Sequence, residues 1–257
     1  MKAIESKDNN IYKELIRLTR KKYRDERGLY LLEGPKPISD ALDMGVDVER
    51  VFLCEGYEFP GLLKECIVKV LSKKLFTEVS QTETSQGITA IVKKTEHKLS
   101  ELKTYIASGD NVLVVDRIQD PGNLGTMIRT SEAAGYKAII VMKGSADVYS
   151  PKVVRAAAGS LFRIPVYRGE DEEQLIEALK QCGKKIISAS PDTDTSCFHV
   201  DMTCDIALII GNEGQGVSQG LSEASDIKIK IPMEGSIESL NAAVAAGILM
   251  YQSKKTK

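Results

Sequence analysis

Ile231-Pro-Met-Glu-Gly-Ser-Ile-Glu-Ser-Leu-Asn-Ala-Ala-Val-Ala-Ala-Gly-Ile-Leu-Met-Tyr-Gln252 is the stretch on which the reading of the fold turns. It opens as the end of a strand, because Ile227, Ile229 and Ile231 alternate with Asp226, Lys228 and Lys230. Pro232 and Gly235 break that strand. Ser236 or Ser239 is then placed to cap a helix running to about Gln252. Leu240, Val244, Ile248 and Tyr251 form one face of this helix, while Ala242, Ala245 and Leu249 lie elsewhere on the wheel. A helix that is apolar all round is expected to be buried all round. Its alanines and Gly247 let neighbouring backbones come close. Asn241 stands at its start, and a buried amide needs hydrogen-bond partners. It either ties down its own loop or meets a polar group from elsewhere in the chain.

Working outward, 257 residues suffice for one large domain or two ordinary ones. A hydrophobic fraction of 42% and a charged fraction of 28% fit a soluble protein with a real core. The first residues are too charged for a signal peptide, and no apolar run reaches the length of a membrane span, so the expected compartment is the cytoplasm. Five cysteines without a Cys-x-x-Cys pair, and only two histidines, argue against a zinc site and for free thiols. The net charge of −1 excludes a uniformly basic nucleic-acid binder. Residues 1–28, however, carry nine Lys/Arg against five Asp/Glu, a local +4 that suits either a solvated helix face or a phosphate backbone.

Residues 10–24 read as one amphipathic helix, ended by Gly28. Strands are expected at 29–33, 48–54, 66–71 and 87–92, with helices after Pro35 and at 73–79. This makes a small α/β domain over 1–95, followed by a charged, patternless linker at 96–109. A second α/β domain spans 110–257. Its strands are near 112–116, 136–142, 164–167, 185–189, 206–210 and 227–231. Asn123 is expected to cap a helix from Leu124 to Ala134. Continuous apolar strands alternating with helices imply a parallel sheet covered on both faces.

Ligands of open parallel sheets bind beyond the C-terminal strand ends, and three such ends here carry unusual residues. They are Asn123-Leu-Gly-Thr-Met-Ile-Arg129-Thr130, Gly211-Asn-Glu213-Gly-Gln-Gly216 and the Pro232 to Asn241 segment. The glycines of the second loop run Gly-x-x-Gly-x-Gly, the reverse of the dinucleotide order, and come late in the domain. No Gly-Lys-Ser/Thr triplet is present. Together, in this order and spacing, the three segments resemble the motifs of the SpoU/TrmH family of RNA ribose 2′-O-methyltransferases, within the SPOUT superfamily. The resemblance spans residues 110–252. Arg17-Leu-Thr-Arg-Lys-Lys-Tyr-Arg24, Tyr30-Leu-Leu-Glu-Gly34 and Gln81-Thr-Glu-Thr-Ser-Gln-Gly-Ile88 are similar to the substrate-binding domain of members that methylate large-subunit ribosomal RNA.

The resemblance implies a parallel sheet whose C-terminal segment threads a loop in a deep trefoil knot, beside a small N-terminal ribosomal-protein-like α/β domain. It implies a homodimer paired through the SPOUT domain and S-adenosylmethionine held in the knot, with neither metal nor membrane involved. Ala189, Gly211, Ile231 and Leu240 would hold the adenosyl group. Arg129, Asn123, Glu213, Ser239 and Asn241 would form the catalytic set. Arg129 would grip substrate phosphate, and Glu213 would partner Arg129 or main-chain donors. Arg20, Lys21, Lys22 and Arg24 would dock RNA, with large-subunit (23S) ribosomal RNA favoured over transfer RNA. An inactive RNA-binding factor of the same fold is the alternative outside enzymes.

Overall fold

A computed structural model describes residues 2–59, 66–80, 85–236 and 239–254. Gln81 to Thr84 of the N-terminal resemblance, and Ile237 and Glu238 of the third loop, lie outside the described residues. In chain order come α1 (Asn10–Arg17), α2 (Lys21–Arg27), β1 (Leu29–Glu33), α3 (Pro35–Asp43), β2 (Val48–Cys54), β3 (Ile67–Leu71), α4 (Lys73–Val79) and β4 (Ile88–Lys93). There follow β5 (His97–Lys98), α5 (Leu102–Tyr105), β6 (Val112–Val115), α6 (Pro121–Ala133), β7 (Ala138–Met142) and α7 (Pro151–Ala157). The last are β8 (Val166–Gly169), α8 (Glu172–Gln181), β9 (Lys185–Ala189), β10 (Ile206–Ile210), α9 (Gln219–Glu223), β11 (Ile227–Ile229) and α10 (Ala242–Gln252). They form two compact units, Met1–Thr95 with Asp147–Phe162, and Glu96–Ala146 with Arg163–Lys257.

In the second unit, seven described strands pair in the order β11-β9-β10-β6-β7-β8-β5, every pair parallel. β6, β7 and β10 are buried along their whole lengths, as continuous apolar runs require. The stretch expected as a linker is folded here, since it supplies the edge strand β5, and Leu102 and Ile106 join the core. Two helix starts differ from expectation. α6 begins at Pro121, capped by Asp120, whose Oδ1 accepts from the amide of Asn123 at 2.9 Å. Proline at the first helical position favours that start, because its missing N–H would have no partner there. α10 begins at Ala242, and its cap is Asn241 rather than Ser236 or Ser239.

α10 is not buried all round. Ala242, Ala243, Ala246, Leu249 and Met250 are buried, and the helix packs on α6. A Cβ on Gly247 would come 3.8 Å from Thr130 Cγ2. Val244, Ile248 and Tyr251, spaced along the opposite face, are 53%, 37% and 53% exposed.

The first unit is built on a mixed sheet in the order β1-β4-β2-β3, with β4 antiparallel to both β1 and β2. Its core includes Tyr12, Leu15, Leu31, Phe52 and Phe76. The helix expected over 10–24 is two helices, α1 and α2. Arg24 accounts for the break. Its side chain is buried, and Nη1 donates to the carbonyls of Leu18 and Thr19 at 2.9 and 2.8 Å. Nη2 donates to Asp147 Oδ2 at 2.6 Å. The expectation that Arg24 joins the surface basic cluster is therefore corrected: its charge is spent inside the fold. Residues 147–162 belong to this unit for the same kind of reason. The Tyr149 hydroxyl donates to the Thr95 carbonyl at 2.5 Å, Lys94 lies 5.2 Å from the Tyr149 ring, and α7 packs on β1.

Removing one partner of a buried pair strands the other charge. Arg24→Ala is expected to lower stability by about 3–5 kcal/mol, whereas Lys21→Ala, at the surface, stays within about 0.5 kcal/mol. Urea unfolding of both variants checks this.

Candidate active site

The exits of β6 and β10 are neighbours because these strands pair in register from Ala207↔Val112 to Ile210↔Val115. The exit of β10 is a closed turn. Asn212 and Gly216 exchange main-chain hydrogen bonds at 3.0 and 2.9 Å. Asn212 Oδ1 also accepts from the amides of Gly214 and Gln215 at 2.9 and 3.0 Å. Gly211 must be glycine here, since a Cβ would fall 2.2 Å from Gly216 C and Val217 N.

Glu213 sits at the outer end of this turn. Its Oε1 accepts from Asn123 Nδ2 at 3.0 Å and from the Asp120 amide at 3.4 Å, and its Oε2 accepts from the Gln119 amide at 3.2 Å. Asn123 Oδ1 accepts from Asn241 Nδ2 at 2.9 Å. Asn241 Oδ1 in turn accepts from the amides of Ala243 and Val244 at 2.9 and 3.2 Å. The three loops are thus tied by one chain, Glu213–Asn123–Asn241, ending on the first turn of α10. An ionised carboxylate only accepts and a main-chain amide only donates, so both side-chain amides have one orientation that satisfies every link. Burial raises the Glu213 pKa. The hydrogen bonds from Asn123, Gln119 and Asp120 outweigh it and hold the carboxyl below its ordinary value. The anion, and with it the polarity of the chain, is therefore present throughout the neutral range. It is lost only as pH falls through that depressed value.

Of the other residues named from sequence, Arg129 is exposed on α6 and has no hydrogen-bond or ion-pair partner among the described residues. Ser239 is exposed and stands outside the chain of hydrogen bonds. Ala189, Gly211 and Ile231 lie at or just past the ends of the adjacent strands β9, β10 and β11. Each is half-buried, as is Leu240. Arg20, Lys21 and Lys22 are exposed in the first unit, without Arg24. Among the described residues, no cluster of three or more His, Cys, Asp or Glu is placed to hold a metal, and no helix is long and apolar enough to cross a membrane.

Several residues of the site have no part in the sequence reading: Asp116, Arg117, Gln119 and Asp120. Asp120 was legible as an Asp-Pro helix start. Asp116, 2% exposed directly after an apolar strand, carried the weaker signal of a charge where the strand ends. Gln119 donates its main-chain amide to Glu213 and its side-chain amide to the carbonyls of Arg117 and Gly144, contacts that no sequence pattern reports.

Comparison with known proteins places this geometry. Residues 110–251 match the SpoU rRNA Methylase family, and residues 9–90 match an MRM3-like substrate binding domain. A 23S rRNA (guanosine(2553)-2′-O)-methyltransferase of Bacillus subtilis is 38% identical, the match covering 98% of each chain. The AdoMet-bound rRNA methyltransferase of Sinorhizobium meliloti superposes with a TM-score of 0.88 at 29% identity, covering 98% of this chain and 97% of that one. A TrmH/SpoU tRNA modifying enzyme of A. aeolicus is matched over 61% of this chain and 80% of that one, with a TM-score of 0.50 at 25% identity. The family read from the three loops is the family found: this chain belongs to the SpoU rRNA methylases.

Proposed function

We propose that this protein transfers the methyl group of S-adenosylmethionine to a ribose 2′-hydroxyl of large-subunit (23S) ribosomal RNA. The observation that carries the reading is the Glu213–Asn123–Asn241 chain, in a protein aligned end to end with the 2′-O-methyltransferase of B. subtilis. The strand ends suit the cofactor. Ala189, Ile231 and Leu240 offer apolar surface, and Gly211 leaves its main chain uncovered where an adenine edge needs donors and acceptors. Bound there, S-adenosylmethionine supplies an electrophilic sulfonium methyl. The chain's own tasks are then to position the hydroxyl and let its proton leave.

Arg129 is assigned the grip on substrate phosphate. A guanidinium is a poor general base, so the 2′-hydroxyl proton is assigned to a phosphate oxygen or to solvent. Asn123, Glu213 and Asn241 hold the loops in register, and Ser239 contributes least. Arg20, Lys21 and Lys22 face the RNA backbone from the N-terminal domain. Coverage favours ribosomal over transfer RNA: the A. aeolicus tRNA enzyme matches only 61% of this chain, and the S. meliloti rRNA enzyme 98%. The exposed row Val244, Ile248 and Tyr251 is assigned to a second copy of the chain, which would bury α10 as its composition demands. The trefoil threading of the C-terminal segment and action in the cytoplasm belong to the same proposal.

Incubating total RNA with labelled S-adenosylmethionine tests the whole reading. Label is expected in large-subunit ribosomal RNA; label confined to transfer RNA defeats the substrate assignment, and tight RNA binding without label defeats the enzymatic one. Arg129→Ala is expected to abolish transfer while calorimetry finds cofactor affinity nearly unchanged. Lys21→Glu with Lys22→Glu should weaken RNA binding and flatten its salt dependence by about one to two units of slope. Tyr251→Asp should turn the dimer into a monomer in sedimentation velocity.

A further inference from the structure

Arg117 is one of three described non-glycine residues with a positive φ, at +56°. Such backbone is disfavoured for L-residues and persists where surroundings over-determine it. Here they do. Asp116, almost fully buried, accepts from Arg117 Nε at 3.1 Å and Nη2 at 3.3 Å, and from the Ser218 amide at 2.7 Å. Arg117 also donates from Nη2 to the Gly216 carbonyl at 3.4 Å and from Nη1 to Gln215 Oε1 at 3.5 Å. Its own carbonyl accepts from Asn212 Nδ2 at 2.8 Å. Gly144 leaves room for its stem, since a Cβ there would meet Arg117 Cγ at 3.2 Å. Two and three residues on, the amides of Gln119 and Asp120 turn to Glu213. The left-handed turn lets one short loop present a carbonyl to Asn212 and amides to Glu213. The Arg117 guanidinium, seated on Asp116, touches the closing end of the same turn.

We propose that Arg117 is a positioning residue for the cofactor: with Asp116 it holds the Gly211–Ser218 turn in its binding shape through Gln215 and Gly216, where Asn123 holds it through Glu213. This rests on the reading of that turn as part of the S-adenosylmethionine site. Neither of its side-chain hydrogen bonds to the turn is short. The effect comes from a planar fork that meets Asp116, Gln215 and Gly216 at once, a geometry an ammonium does not reproduce.

Arg117→Gly, Arg117→Ala and Arg117→Lys test it by three readouts. Glycine keeps the turn and loses the fork, whereas alanine loses the fork and retains the backbone strain. The glycine variant should melt roughly 2–4 °C above the alanine variant. All three should bind S-adenosylmethionine about tenfold more weakly in calorimetry, as when the competent turn is populated one time in ten. KM for the cofactor should rise while kcat at saturation is kept. Amide exchange at Gln215 and Ser218 should be faster than in the wild type in every variant. Wild-type affinity in Arg117→Gly, or affinity that follows melting temperature across the series, overturns the proposal. If the wild-type protein itself does not bind S-adenosylmethionine, the cofactor reading has failed; unchanged exchange at Gln215 and Ser218 then refutes the holding role as well.

Discussion

Glu213 accepts and the first amides of α10 donate, and two side-chain amides, Asn123 and Asn241, are all that lies between them. The Pro232 to Asn241 segment has to be closed back onto the sheet, and closing a loop of that length costs about 2 kcal/mol in entropy. A net hydrogen bond offsets about 1 kcal/mol, and one to a charged group about 1.5–3 kcal/mol. The amide chain is therefore comparable with the entropy it opposes rather than far above it. Asn241 both caps α10 and bonds to Asn123, so one side chain ties the helix start to the first loop.

Much of this was legible in the residues. Strands at 29–33, 48–54 and 185–189 have the bounds expected of them, since each is an apolar run closed by turn formers. The three loops were identifiable by their residue types and order. Helix starts were less so. Serine, aspartate and asparagine are near-equivalent caps, so local chemistry could not choose among Ser236, Ser239 and Asn241, or between Asp120 and Asn123. Tertiary bonds made the choice, because Asn241 is the candidate that also reaches Asn123. The link between Asn123 and Asn241 spans 118 residues, and no periodicity encodes it.

The same limit explains the N-terminal unit. Arg24 shares a helix face with Arg17, Arg20 and Lys21 in any wheel drawn over 10–24, and composition places all of them in solvent. Asp147, which draws Arg24 inward, arrives from a segment that the sequence assigns to the other domain. A buried ion pair whose members are 123 residues apart is invisible to local reasoning, although it decides which basic side chains stay at the surface. α10 is the converse case. Its composition asks for burial on every side, while one chain leaves Val244, Ile248 and Tyr251 uncovered. The mismatch locates surface that the sequence wants covered.

The electrostatic consequence of the amide chain concerns Arg129. A carboxylate in the second loop and a guanidinium in the first invite the expectation of an ion pair. Glu213 is instead satisfied by Asn123 and by the amides of Gln119 and Asp120. A neutral amide and two main-chain N–H groups stabilise the anion without using up a cation. Had Glu213 taken Arg129, a phosphate would have had to displace a carboxylate to be bound, and the stranded carboxylate would have repelled it. With Glu213 provided for by fixed dipoles, Arg129 stands exposed and uncommitted among the described residues. On the proposed function that leaves its full charge for the RNA backbone, so the stability of the loops and the availability of the cation come from one arrangement of donors.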